Sequence, residues 1–82
     1  MNQNKILIEN IDRIHTTKMG VERIKRNLNL DMEDVVGYCK NLILSKDCCT
    51  FRQGKNWYCQ IGNTRITVNS NSYTIITAHI VK

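Results

Sequence analysis

The sequence predicts an α+β fold: three N-terminal helices packed on one face of a four-stranded antiparallel meander sheet, the other face in solvent. Three observations predict it. Apolar residues recur at helical spacing as far as Lys46, and after Asp47 the period changes from 3.6 to 2. The gaps between the later apolar runs are too short for parallel crossovers.

The first helix is placed at about residues 4–15, where Leu7, Ile11 and Ile14 make one stripe. A second follows over 17–28. Thr16 or Thr17 can cap it, Val21, Ile24 and Leu28 share one side, and Asn27–Asn29 suit the left-handed conformation that ends a helix. The third spans 32–46, with Asp31 as N-cap, Glu33 and Asp34 at the positive end of the dipole, and Val35, Cys39 and Leu42 at helical spacing. Strands are expected at 48–52, 56–61, 64–68 and 73–81, rich in β-branched and aromatic residues. Gln53-Gly54-Lys55, Gly62-Asn63 and Asn69-Ser70-Asn71-Ser72 are the turns, and Gly62-Asn63 offers two residues able to take positive φ. No linker or internal repeat divides the 82 residues, so one domain is expected.

Alternation then sorts the strands into faces. With Trp57, Cys59, Ile61, Ile66, Val68, Ile76, Ala78 and Ile80 inward, the open face collects Tyr58, Gln60, Arg65, Thr67, Tyr73, Ile75, Thr77 and His79. Charge reinforces the division. Residues 48–82 carry Arg52, Lys55, Arg65 and Lys82 against no acid, whereas residues 1–47 hold eight Lys/Arg against seven Asp/Glu. A sheet carrying only positive charge suits an anionic partner, and phosphate is the commonest.

Cys39, Cys48, Cys49 and Cys59 include no Cys-x-x-Cys pair, so buried free thiols are expected and no metal site or cofactor is assigned. A zinc-stabilised fold would need Cys39, Cys48 or Cys49, and Cys59 to converge. No apolar run reaches the roughly 20 residues of a membrane span, and Ile6-Leu7-Ile8 is too short for a signal peptide. A cytoplasmic location is therefore expected.

RNA cleavage without metal needs a base for the 2′-hydroxyl, an acid for the leaving oxygen and a cation for the phosphorane. His15 and His79 are the proton-transfer candidates, since histidine titrates near working pH. Their ordinary alternatives are a cation at a helix end and an exposed strand residue. Arg23 and Arg26 lie on one helix face and could grip adjacent phosphates; the plainer reading pairs Arg26 with Glu22 at i+4. Arg65 is the third phosphate candidate. Thr77 and Thr67 can bond to phosphate, and equally serve simply as strand formers. Lys55 in its turn leads into Trp57 and Tyr58, a basic and aromatic pairing able to stack a base, although Trp57 also suits the core.

Three segments carry a resemblance: His15-Thr16-Thr17-x-x-Gly20-x-x-Arg23-Ile24-x-x-Asn27-Leu28, Gly54-Lys55-Asn56-Trp57-Tyr58, and Tyr73-Thr74-Ile75-Ile76-Thr77-Ala78-His79. Together they resemble a family of small bacterial proteins, common in Firmicutes, whose function is unassigned. The order of elements also resembles the barnase–EndoU–colicin–RelE group of ribonucleases, many of which are toxins acting on RNA. That resemblance implies a helix-one His, a helix-two Arg and a last-strand Ser/Thr as the active set: His15, Arg23 or Arg26, and Thr77. It further implies RNA and an antitoxin-like protein as partners; the short length adds a homodimer. The expectation is an RNA-binding or metal-independent endoribonuclease domain, with catalytic His15, Arg23, Thr77 and His79 and binding residues Arg26, Arg65, Lys55, Tyr58, Thr67 and Tyr73. The alternative is a noncatalytic interaction module that uses the open sheet face.

Overall fold

The computed structural model describes residues 4–81. In chain order its elements are α1 (Lys5–Glu9), a 3-10 turn (Ile11–Arg13), α2 (Lys18–Leu28), α3 (Val35–Leu44), β1 (Cys49–Gln53), β2 (Asn56–Ile61), β3 (Thr64–Asn69) and β4 (Ile75–Ile80). The strands form one antiparallel sheet in the order β1-β2-β3-β4. The class is α+β, as the change of period implies. α2 packs against β4, and α3 touches both α2 and β2.

The helix predicted over 4–15 breaks in two. Asn10 turns its side-chain amide back onto the Ile6 carbonyl at 2.8 Å, a single 3-10 turn follows, and Ile14 is already extended. The chain gains a different set of backbone bonds. His15 N–H donates to the Tyr73 carbonyl at 3.2 Å, and Ile75 N–H donates to the His15 carbonyl at 2.7 Å. Residues 14–16 thus lie parallel to the start of β4 on its outer edge. Leu7 and Ile14 still reach the core, so the apolar pattern is satisfied by a backbone other than a helix.

α2 follows its sequence signals closely. The Thr17 hydroxyl accepts from Gly20 N–H at 3.0 Å, and Asn29 is left-handed at φ 55° while Leu30 N–H returns to the Lys25 carbonyl. α3 starts at Val35, three residues later than predicted, because Asp34 rather than Asp31 is the cap and accepts from Gly37 N–H at 2.9 Å. Burial decides between the two aspartates. Val35, Cys39 and Ile43 form the buried stripe, while Met32 stays exposed. Leu44 is the last helical residue, so the predicted end at 46 is also too late.

β1 and β3 each extend one residue beyond prediction, to Gln53 and Asn69, and β1 starts at Cys49 rather than 48. Both hairpins use glycine in the left-handed region, Gly54 at φ 62° and Gly62 at φ 56°. Lys55 and Asn63 do not join them, so only the first turn position needs positive φ, as in a type II′ hairpin. The last strand departs most. Tyr73 sits at φ 61°, so extended structure begins only at Ile75. A register shift then opposes Val68 to Ile75 but Thr67 to Thr77, and Ile76 is the extra residue. The shift reverses the predicted alternation there: Ile75 is buried and Ile76 is exposed.

The core joins Leu7, Ile14, Ile24, Val35 and Ile43 to Trp57, Cys59, Ile66, Val68, Tyr73, Ile75 and Ala78 of the sheet side. Cys39, Cys48 and Cys59 are buried free thiols; Cys49, next along β1 from Cys48, is exposed. Among the described residues no three His, Cys, Asp or Glu side chains converge as metal ligands. No described helix is long and apolar enough to cross a membrane.

Candidate functional site

Three segments converge at the end of the sheet where β1 turns into β2. They are the Gly54-Lys55 turn, the Asn69–Thr74 connection between β3 and β4, and the Arg13–His15 stretch. Ser70 N–H donates to the Lys55 carbonyl at 2.8 Å and fixes the first two together; the parallel pairing of His15 with Thr74 adds the third.

His15 is exposed, yet its ring is held at both nitrogens. Nδ1 lies 2.8 Å from the Arg13 carbonyl. A carbonyl only accepts, so in the neutral ring Nδ1 carries the proton and Nε2 offers its lone pair. The Thr74 hydroxyl, 3.1 Å from Nε2, donates to it. Ser72 Oγ is 2.8 Å from Thr74 Oγ1 and in turn donates there, its other acceptor, Asn69 Oδ1, being farther at 3.3 Å. Asn69 Oδ1 also takes the Asn71 and Ser72 backbone N–H groups, which closes the turn.

The result is an imidazole ring with an oriented hydroxyl on one nitrogen and a fixed acceptor on the other. Proton transfer needs this arrangement: hydrogen-bond reach to the reacting proton and a third group that sets the ring.

Tyr73 supports the site from beneath. Sequence alternation assigned it to the open face, but it is buried, 6% exposed. Its ring lies 5.4 Å from Trp57 and carries the Arg13 guanidinium 4.4 Å above it. A bulky residue in the left-handed region costs of order 1–3 kcal/mol. Packing between Trp57 and Arg13 holds it, and its N–H and carbonyl bond to Asn69 and His15. Arg13 and Lys55 are both exposed cations of the segments that meet here.

The predicted residues therefore separate into three groups. His15 and Lys55 come to the sheet end, with Tyr73 beneath. Arg23 and Arg26 line an open groove of about 410 Å³ along α2, with Lys18, Met19 and Glu22. Among the described residues Glu22 and Arg26 form no ion pair; Lys25 instead meets Glu33 at 3.2 Å. Tyr58, Thr67, Arg65, Thr77 and His79 form the third group, on the sheet face opposite the core. Cross-strand partners share a face, so Phe51, Tyr58, Thr67 and Thr77 make one row and Cys49, Gln60, Arg65 and His79 the next. Thr67 is buried at 6% exposure between its neighbours, contrary to its assignment as an open-face residue. Arg65 Nε donates to Gln60 Oε1 at 3.0 Å.

The threonine that meets His15 is thus Thr74. Thr77 lies three residues farther along the chain, about 10 Å at strand rise, and His79 five residues, about 16 Å, toward the Gly62-Asn63 turn. Sequence reasoning missed Thr74, Ser72 and Arg13. The run Asn69-Ser70-Asn71-Ser72 reads as a turn, and nothing local ties residue 74 to residue 15. Phe51 was missed because its cross-strand pairing with Tyr58 is not visible in sequence.

Three of the four thiols, Cys39, Cys48 and Cys59, lie in the core. Burial pushes Cys39 up to about 11, while a hydrogen bond between Cys48 and Cys59 lowers the first and raises the second. Residues 8–79 match a family described as "Protein of unknown function (DUF3781)". No curated protein and no solved structure matches the chain significantly.

Proposed function

The chain belongs to the DUF3781 family, and from the geometry of the sheet end we propose that it is an RNA-directed protein that cleaves RNA without metal. One observation carries the reading: His15 is pinned at Nδ1 by the Arg13 carbonyl and presents Nε2 to a hydroxyl. The Thr74 hydroxyl stands in that position for a ribose 2′-hydroxyl. In the proposed reaction His15 Nε2 removes the 2′ proton, O2′ bonds to phosphorus, the bond from phosphorus to the 5′-oxygen breaks, and water protonates the leaving oxygen. The products are a 2′,3′-cyclic phosphate and a 5′-hydroxyl. Arg13 and Lys55 offset the charge that builds on the phosphorane. Arg23 and Arg26 follow the backbone along α2 from a helix that begins three residues after His15.

In this reading α2 and α3 cover one face of the sheet. Arg65, Thr77, His79 and Tyr58 bind substrate on the other, with buried Thr67 between Tyr58 and Thr77 in the row. A cytoplasmic protein restrained by an antitoxin-like partner or by a second copy fits such an activity.

A mixed RNA pool incubated in EDTA tests it. Wild type should cleave, Thr77→Ala should cleave with weaker substrate binding, Thr74→Ala should cleave with altered rate, and His15→Ala should lose at least about 100-fold, the usual worth of a general base. Intact RNA with wild type overturns the nuclease reading. The second reading, a noncatalytic module, then takes over; it draws on the absence of any acid from residue 48 onward.

A further inference from the structure

The sheet face opposite the core carries a feature that the cleavage chemistry does not use. Phe51 and Tyr58 are directly opposed on β1 and β2, with ring centroids 5.4 Å apart and planes 24° from parallel. Phe51 is 37% exposed, on a strand whose other outward neighbours are also open to solvent. A folding requirement does not account for the pair, because both rings lie on the side away from the buried cluster of Trp57, Cys59, Ile66 and Val68.

Beside this pair runs the row of Gln60, Arg65 and His79. Arg65 spends one N–H on Gln60, and no carboxylate pairs with its guanidinium among the described residues. Its remaining donors are suited to phosphate. Near-parallel rings with open surface next to a cation are the two components of single-strand recognition: bases extend the stack while the cation holds the backbone between them. Duplex RNA fits the same face poorly. Its bases are already stacked on one another, so it offers phosphates and 2′-hydroxyls but no free base face to the rings.

We propose that Phe51 and Tyr58 form a stacking platform for unpaired bases, with Arg65 on the adjoining phosphate, and that the ligand class of this face is single-stranded RNA. The proposal deepens the RNA reading above and rests on it. It adds Phe51 as a binding residue and restricts the substrate to unpaired segments.

The test measures binding and cleavage in parallel on the full chain. Fluorescence anisotropy with labelled oligo(U), oligo(dT) and a blunt RNA duplex of equal length would be recorded at fixed salt. Proteins would be wild type, Phe51→Ala, Tyr58→Ala, Tyr58→Phe and His15→Ala. Expected is tighter binding of oligo(U) than of duplex, a loss of roughly tenfold for Phe51→Ala and for Tyr58→Ala, retention in Tyr58→Phe, and loss of cleavage in His15→Ala. Retention by the conservative variant excludes a general loss of folding, which circular dichroism of each variant checks independently. Duplex preferred over oligo(U), or oligo(U) binding indifferent to Phe51→Ala and Tyr58→Ala, overturns the platform. If cleavage persists in that case, the nuclease reading survives it; if platform-dependent binding occurs without cleavage, the platform survives and the nuclease reading falls. Binding of oligo(dT) equal to oligo(U) overturns the RNA part of the assignment.

Discussion

A histidine that keeps its proton on Nδ1 is ready to accept at Nε2, and the Arg13 carbonyl at 2.8 Å is what keeps it there. Nitrogen-15 shifts of the ring should accordingly report Nδ1–H as the protonated nitrogen of neutral His15; an Nε2–H ring would overturn the proposal that it acts as a base. A second residue makes a pH prediction. Burial raises Cys39 from 9.0 to about 11, so its thiol holds the proton more firmly in the folded chain than in the unfolded one. The sign follows from linkage. Its stabilisation is complete below pH 9, where both states are protonated, and is lost as pH rises from 9 through 11, by about 2 kcal/mol. Urea denaturation should show Cys39→Ala losing less stability than wild type between pH 8.5 and 11; equal losses would place the thiol in contact with water.

Helix α3 shows how a local preference is overridden within an element. An alanine at Gly37 would ordinarily favour the helix by about 1 kcal/mol. Here an added Cβ collides with the Asp34 carboxylate, which caps the helix through Gly37 N–H. Gly37→Ala should therefore be neutral or destabilising in wild type and stabilising by about 1 kcal/mol in an Asp34→Ala background. Four denaturation curves close the cycle, and additive effects would refute the collision. The same element marks a limit of sequence reading. Asp31 and Asp34 are both good caps, and only the burial of Val35, Cys39 and Ile43 selects the second. α2 leaves a smaller choice, Thr16 or Thr17 as cap, and the Thr17 hydroxyl takes the role by accepting from Gly20 N–H.

At the scale of the molecule, the sheet separates two ends that the sequence had treated as one site. His15 meets Thr74 at the Lys55 end, and His79 stands beside Arg65 toward the Gly62 end, about 16 Å along β4. At that separation, in the RNA complex we propose, His15→Ala and His79→Ala should act additively on the free energy of binding, within about 0.5 kcal/mol. A larger coupling in the double-variant titration would mean that both rings touch one phosphate.

Much of this protein was legible in its residues. The change of period after Asp47, the glycines at the two hairpins and the absence of acids beyond Asp47 together specify an antiparallel meander of basic character. These are local properties, set by side-chain spacing and by conformations each residue can adopt alone. The tertiary structure decided what depends on distant partners. Backbone bonds to β4 draw Ile14 and His15 out of a helix whose apolar spacing Ile14 satisfies, a bulge at Ile76 reverses which isoleucine is buried, and Tyr73 is taken from the surface into the core between Trp57 and Arg13. The pairing of His15 with Thr74 belongs to the same class. It joins residues 59 apart, and no periodicity along the chain encodes a contact that exists only once the sheet edge has formed.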